Sequence, residues 1–594
     1  MTSSPTQTAG FTAQPAGPTT GASKPAAGAA GPQANPGVRV PYRTARPLAP
    51  CDLWLAGNEG RPPAPLESVI PSEELGRYPS SASLEAAAAE RFGVEPAQVL
   101  ATAGADDGLL RLALAFLAPG RELILPTPTF EMIPRYAALA GGDVVEVNWA
   151  EGTPYPVEAV LRSISPRTSL IAVVSPNNPT GAVACAEDLR RLSEAAPNAL
   201  LIVDQAYAEF ADEDLSAPAL KLPNAVVLRT MSKAYGCAGL RVGFSLGAPA
   251  ILEVLRAAGN PYPLAASSLN AATQRLTDDI TPSVQRVRRE REALLATLGE
   301  LGLEASPSQG NFVFVRTPRA SQVRDLMAGL GIAIRAFPGV PGLTDALRIT
   351  LPGDSVDFTR LDRSMRGALA PEAVLFDMDG VLADVSRSYR TAIRETAASY
   401  GVTITDTEIE AAKAAGDAND DWRLTWRILV DRGVDCTLDG VTDRFEALYQ
   451  GTSKAPGLRR EETLLLDRAT LERLAAARPL AVVTGRPRSD ARRFLEEQGI
   501  ADLFGAVITR DDAPLKPDPE PVRRAMDALG VRTAWMLGDT RDDIESARAA
   551  GAVPVAVLPP GGSDDARRTL KAQLCAAGAG VCLDRTTDLE ELLP

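Results

Sequence analysis

The chain has 594 residues, with 75 Asp or Glu against 61 Lys or Arg, giving a net charge of −14. An acidic surface repels phosphate backbones, which argues against a nucleic-acid partner, and no apolar run reaches the ~18 residues of a membrane span. Histidine is absent altogether, so imidazole is excluded as acid, base, nucleophile or metal ligand, and chemistry must run on Lys, Asp, Arg, Tyr, backbone amides and a cofactor.

In chain order, residues 1–45 are rich in Ala, Pro, Gly, Thr and Ser without a hydrophobic period, which predicts a disordered tail. "MTSSPTQTAG" has no basic stretch ahead of an apolar core, so no signal peptide is expected. The cysteines at 51, 185, 237, 436, 575 and 582 form no C-x-x-C pair, as expected of unpaired thiols in a reducing cytoplasm. Over 46–370, "RELILP", "SLIAVVSP", "ALLIVDQ" and "NAVVLRT" read as buried strands, and "SLEAAAAERFG" and "GLLRLALAFLAPG" as amphipathic helices. This alternation predicts an α/β fold with a mainly parallel sheet covered on both faces. "PEAVLFDMDG" opens a new strand, so a second unit is expected over 371–594.

The most informative stretch of the front unit is "VVLRTMSKAYGCAGLRVGF", with Thr230, Ser232, Lys233 and Arg241. Upstream lie "LIVDQAYAEF", with Asp204 and Tyr207, and "VSPNNPTGAV", with Asn177 and Asn178. Singly, a lysine reads as a surface charge, an aspartate at a strand end as a helix cap, and Asn-Pro as a turn. Together and in this order they resemble fold type I pyridoxal-phosphate enzymes, and within them histidinol-phosphate aminotransferases. The resemblance implies a large mainly parallel-sheet domain plus a small α/β domain, pyridoxal 5′-phosphate as cofactor, and a homodimer.

The resemblance also implies roles. Lys233 would hold the cofactor aldehyde and move the proton at Cα; Asp204 would face the ring nitrogen; Tyr207 and Asn178 would bond the ring oxygen; Phe130 would stack on the ring. Gly104, Ala105 and Asp106, at a helix start, would meet the cofactor phosphate with Thr230, Ser232 and Arg241. Tyr78 in "RYPSS" would reach that phosphate from the partner subunit, though simple packing before a proline also explains it. Arg348 would grip the amino-donor carboxylate, Arg335 the anionic far end of the substrate, and Asn58 the substrate side of the site. Two departures from the family pattern stand out: Gly60 and Arg61 separate Asn58-Glu59 from Pro62, and Gln205 follows Asp204 where relatives carry Glu.

The back unit carries "FDMDG" with Asp377 and Asp379, "AVVTGRP" with Thr484, "PLKPDPEP" with Lys516, and "MLGDTRDDIESA" with Asp539 and Asp543. Two aspartates alone would read as a turn; the ordered set resembles the haloacid dehalogenase superfamily, implying a Rossmann-like core, a helical cap over about 386–475, and Mg²⁺. Asp377 would be the nucleophile and Asp379 the acid and base. Thr484 and Lys516 would hold the phosphoryl oxygens. Asp377, Asp379, Asp539 and Asp543 would hold or flank the metal. Lys413, Asn419 and Trp422 are cap candidates for substrate contact, with packing the alternative for Trp422. No Cys/His zinc loop is present.

The expectation is therefore a cytoplasmic bifunctional enzyme of histidine biosynthesis. Its front would transaminate imidazole-acetol phosphate with glutamate, and its back would hydrolyse the resulting histidinol phosphate. Three alternatives stay open: a threonine-phosphate decarboxylase-like front, a phosphatase of different small-molecule specificity, and a cofactor-binding regulatory pseudoenzyme.

Overall fold

The computed structural model describes residues 35–38, 46–62, 65–66, 76–406, 408–409, 412, 420–452 and 455–593. Most of the expected tail, together with Lys413 and Asn419, lies outside them. None of the described helices is long and apolar enough to cross a membrane.

The four strands expected in the front unit form at Glu122–Thr127, Thr168–Val174, Leu200–Asp204 and Ala225–Thr230. They belong to a seven-stranded sheet ordered Val99–Thr102, Gly243–Gly247, Ala225–Thr230, Leu200–Asp204, Thr168–Val174, Glu122–Thr127 and Asp143–Asn148. The run from Ala225–Thr230 to Asp143–Asn148 is parallel, and Gly243–Gly247 is antiparallel to both its neighbours. Strand Thr168–Val174 is buried at every residue. Its unbroken apolar run follows from helices lying on both faces, where alternation would put polar groups in a core.

A second sheet is ordered Leu53–Leu55, Ile332–Ala336, Ala346–Thr350, Phe312–Arg316 and Ala305–Ser306. Helix Ser355–Leu369 leads from it into the back unit. There, six strands lie in the order Ala506–Ile508, Leu480–Val483, Ala373–Phe376, Ala534–Gly538, Val553–Val557 and Val581–Leu583, all parallel. Helices Tyr389–Ser399, Asp421–Asp431 and Leu438–Gln450 form an insert after strand Ala373–Phe376. A short ladder pairing Ala383 with Leu464 and Asp384 with Thr463 closes the insert at its base. The expected cap end near 475 falls inside helix Arg468–Ala477, beyond that ladder.

The two units pack directly. Trp535 Nε1 donates to Gly367 O at 2.8 Å, Arg548 to Pro50 O at 2.6 Å and Gln322 Nε2 to Leu592 O at 2.8 Å. A Cβ on Gly580 would sit 2.8 Å from Asp325 O, so that crossing of helix Ala320–Gly329 over the back unit tolerates no side chain.

Candidate active sites

Open α/β sheets place ligands beyond the carboxyl ends of their parallel strands. Asp204 and Thr230 each end a strand, and both line a cavity of about 380 Å³ with Asn58, Ala105, Asp106, Phe130, Asn178, Tyr207, Ser232, Lys233, Arg241, Arg335 and Arg348. Gly104 caps the N-terminus of helix Ala105–Phe116 at φ 79°, a conformation that costs glycine nothing. A Cβ on Gly243 would lie 2.6 Å from Gly104 C, so two glycines let a strand and a helix start close on one another. The amides of that helix start form an anion cradle, flanked by Arg241 paired to Asp106 at 3.2 Å.

Electrostatics concentrate on the half-buried Lys233 and the buried Asp204. Burial lowers the Lys233 amine to about 8, helped by the positive Arg348, and its Nζ donates to Gly57 O at 3.2 Å. Burial raises Asp204 to about 6, and its Oδ1 accepts from the Ala206 amide at 3.0 Å. A carboxylate so placed calls for a cationic partner. Tyr207 OH accepts from Asn58 Nδ2 at 2.9 Å, and Asn58 is pinned in turn by Thr350. Asn58 sits at φ 53°, three residues after the end of the small sheet's edge strand.

The small sheet supplies both arginines. Arg335 and Arg348 are directly opposite each other across an antiparallel ladder. Like charges in that relation destabilise a sheet, and both residues are buried. Arg348 donates to Asn178 Oδ1 at 2.5 Å and to Ala56 O at 2.6 Å. Arg335 reaches Glu131 at 3.3 Å, while its Nη1 is buried without a hydrogen-bond partner. That orphan donor and the opposed charges fit a ligand with two anionic ends. An anion cradle, a buried carboxylate and a low-pKa amine in one cavity fit pyridoxal phosphate. Tyr78 is placed elsewhere: it is 80% exposed and stacks on Tyr262 with ring centroids 4.6 Å apart.

The back site follows the same strand-end logic. Asp377 follows strand Ala373–Phe376, Thr484 follows Leu480–Val483, and Asp539 follows Ala534–Gly538. Asp377, Asp379 and Asp539 line a small cavity with Asp384, Arg390 and Asp421. Lys516 Nζ lies 2.6 Å from Asp377 and 2.5 Å from Asp543, and also donates to Val483 O at 3.1 Å. Against the penalty of burial, those two carboxylates raise the Lys516 amine. Burial pushes Asp377 up, against the pull of Lys516. Asp377, Asp539 and Asp543 offer oxygens within 4.8 Å of one another. One lysine cannot balance three clustered carboxylates, so the donor set fits a hard divalent cation such as Mg²⁺.

Thr484 and Lys516 are buried and are not among the residues lining this cavity. Trp422 packs edge-on to Phe445, with Arg510 4.6 Å from its ring centroid. Sequence reading passed over Arg486, two residues after Thr484. It is 2% exposed and bonds Asp379. The signal available was a cation two residues after Thr484 in the same short loop.

Residues 69–361 match the family described as aminotransferase class I and II, and residues 371–551 match haloacid dehalogenase-like hydrolase. A histidinol-phosphate aminotransferase of Pectobacterium carotovorum subsp. carotovorum is 36% identical over 334 residues, covering 54% of this chain and 92% of that protein. An imidazoleglycerol-phosphate dehydratase of Phytophthora nicotianae is 50% identical over 197 residues, 32% of this chain, which thereby spans only 44% of that relative's length. Among solved structures, histidinol-phosphate aminotransferase from Sinorhizobium meliloti, in complex with pyridoxal-5′-phosphate, aligns at 23% identity and a TM-score of 0.48, over 54% of this chain and 91% of that one.

Proposed function

We propose, for a chain that belongs to the histidinol-phosphate aminotransferase family and continues into a haloacid dehalogenase-like hydrolase, that the two halves carry out consecutive reactions. The front half transfers an amino group from glutamate to imidazole-acetol phosphate, giving histidinol phosphate, and the back half hydrolyses that ester to histidinol. The relative that dehydrates imidazoleglycerol phosphate supports this reading, because dehydrating such a diol yields a phosphorylated imidazole ketone of the kind an aminotransferase accepts. Fold, relatives and site chemistry agree on the cofactors, pyridoxal phosphate in front and Mg²⁺ behind.

The observation that carries the front assignment is the opposed pair Arg335 and Arg348. Arg348 would fork onto the α-carboxylate of the donor, and Arg335 onto the γ-carboxylate or the phosphate at the far end. When bound, pyridoxal phosphate supplies the electron sink that makes the Cα proton removable. Asp204 would balance the positive ring, Tyr207 and Asn178 would hold its oxygen, and the helix start at Gly104–Asp106 with Thr230, Ser232 and Arg241 would hold its phosphate. Lys233, at about 8, is neutral in a useful fraction at neutral to mildly alkaline pH and takes and returns that proton.

In the back half, Asp377 attacks phosphorus, Asp379 protonates the departing oxygen and then activates water, and Thr484 and Lys516 hold the phosphoryl oxygens. Asp377, Asp539 and Asp543 would hold the Mg²⁺, whose charge offsets the repulsion between a carboxylate and a phosphate ester. We further propose a cytoplasmic homodimer that acts on small phosphorylated amines, with Tyr78 at the partner's site. Its exposed stack with Tyr262 supports an approach from outside its own cavity.

The discriminating experiment offers the front half either glutamate with imidazole-acetol phosphate or phosphothreonine. Formation of 2-oxoglutarate supports the reading. Release of CO₂ from phosphothreonine, with no 2-oxoglutarate, sinks it in favour of a decarboxylase.

A further inference from the structure

Asp379 is not left to orient itself. Arg486 donates to it from Nε at 2.8 Å and from Nη2 at 2.5 Å, both to the same oxygen, Oδ1. The carboxyl is thereby held by one corner, and its other oxygen is left for the cavity that Asp379 lines. The remaining face of Arg486 is engaged too. Its Nη1 donates to Glu462 Oε2 at 2.9 Å and to Tyr449 OH at 3.2 Å. Glu462 also accepts from Ser388 Oγ at 2.8 Å and from Tyr449 OH at 3.1 Å. The guanidinium lies 5.0 Å from the Tyr389 ring centroid and 5.4 Å from that of Phe494.

These partners come from different parts of the fold. Arg486 is on the loop after strand Leu480–Val483 in the core. Tyr389 and Tyr449 lie on two helices of the insert, with Ser388 at the start of the first. Glu462 directly precedes the strand Thr463–Leu464 that closes the insert. A guanidinium gripped by two carboxylates and flanked by two rings has no rotamer freedom to spare.

We propose that Arg486 is the positioning residue for the phosphatase half. It turns Asp379 Oδ2 toward the leaving oxygen, and the Glu462–Tyr449–Ser388 group makes that hold depend on the seating of the helical insert. The inference rests on the reading of Asp379 as acid and base. In the step it serves, a bond forms between an Asp377 oxygen and phosphorus while the ester P–O bond breaks, and the departing oxygen takes the proton from Asp379. Water then attacks the phosphoryl group and gives a proton back to Asp379, and phosphate leaves with Asp377 restored. The competing explanation is a buried ion cluster that merely staples the insert to the core.

Leaving-group dependence in the full-length protein separates the two. The parameter kcat/KM covers events up to departure of the leaving group, and p-nitrophenolate departs without a proton whereas an alkoxide needs one. The alkyl ester used is whichever phosphomonoester the unmodified enzyme turns over fastest, and Mg²⁺ is saturating. Asp379→Asn and Arg486→Ala are each expected to lower kcat/KM for the alkyl ester at least ~100-fold and for p-nitrophenyl phosphate less than about fivefold, the range general acid catalysis spans. Arg486→Lys, which keeps the charge but not the fork, should recover roughly tenfold over Arg486→Ala on the alkyl ester alone. Glu462→Gln should lower only the alkyl rate.

Equal losses on both esters in the Arg486 and Glu462 variants, with Asp379→Asn still selective, would leave Arg486 a staple and overturn the inference. An unselective Asp379→Asn would instead remove the reading of Asp379, and the inference with it. Thermal unfolding of each variant is followed in parallel. If Arg486→Ala does not fold, having stripped buried Glu462 of its partner, the same comparison between esters is made on Arg486→Lys and Glu462→Gln.

Discussion

Replacing Arg335 by Met tests the two-ended grip of the front site. Methionine keeps most of the aliphatic stem and removes the cation, whose guanidinium lies 5.2 Å from the Phe337 ring centroid. The side chain is buried, its Nη1 has no hydrogen-bond partner, and Glu131 is bonded through Nη2 at 3.3 Å. A bound phosphate or γ-carboxylate would therefore gain a charge-assisted bond worth about 1.5–3 kcal/mol. At about 1.36 kcal/mol per decade, its loss should lower kcat/KM by about 10- to 150-fold. The assay is the amino-donor half-reaction, followed by the absorbance of the bound cofactor, with histidinol phosphate, glutamate and norvaline compared. Norvaline has an α-carboxylate and no distal anion, so its slow reaction should stay within about threefold of the unmodified protein's. An equal loss on all three donors would refute the reasoning, because Arg335 would then support the site without reading the far end of the substrate.

Asp204 offers a test that needs no substrate. Its carboxyl is raised from 3.8 to about 6 in the cofactor-free fold, so folding takes up a proton between those values. The ionised form therefore costs stability above pH 6, by up to about 3 kcal/mol, and costs nothing below pH 3.8. Asp204→Asn should then stabilise the cofactor-free protein against urea at pH 8, lose that advantage as the pH falls through this window, and weaken retention of pyridoxal phosphate. Lys516→Met leaves Asp377 and Asp543 facing each other in a buried site. Phosphatase turnover should disappear while 2-oxoglutarate formation in the front half stays within about twofold, and unfolding of the back half should cost about 3–5 kcal/mol less than in the parent.

Much of this site was legible because its residues sit at strand ends inside short local motifs. Lys233, Thr230 and Ser232 fall within four positions, and Asp377 with Asp379 within three, so order and spacing alone bring the chemistry together. The strands around them were legible for the same reason: buried parallel strands are continuous apolar runs, as in Thr168–Val174. What stayed hidden depends on register or on distance along the chain. Arg335 and Arg348 become a facing pair only through the antiparallel ladder of the small sheet. Arg486 meets Asp379 across 107 residues, through an insert whose helices had first to be placed. The reversed direction of Gly243–Gly247 was equally unreadable, since a buried antiparallel strand carries the same apolar pattern as a parallel one.

The most direct test is whether one chain makes the ester that it then cleaves. Full-length protein with pyridoxal phosphate and Mg²⁺ is given imidazole-acetol phosphate and glutamate, and 2-oxoglutarate and free phosphate are followed together. Phosphate should appear only when glutamate is present and should lag behind 2-oxoglutarate. In Lys233→Ala both products should vanish, while added histidinol phosphate is still hydrolysed. Phosphate release that ignores glutamate, or histidinol phosphate left intact while other phosphomonoesters are cleaved, would contradict it.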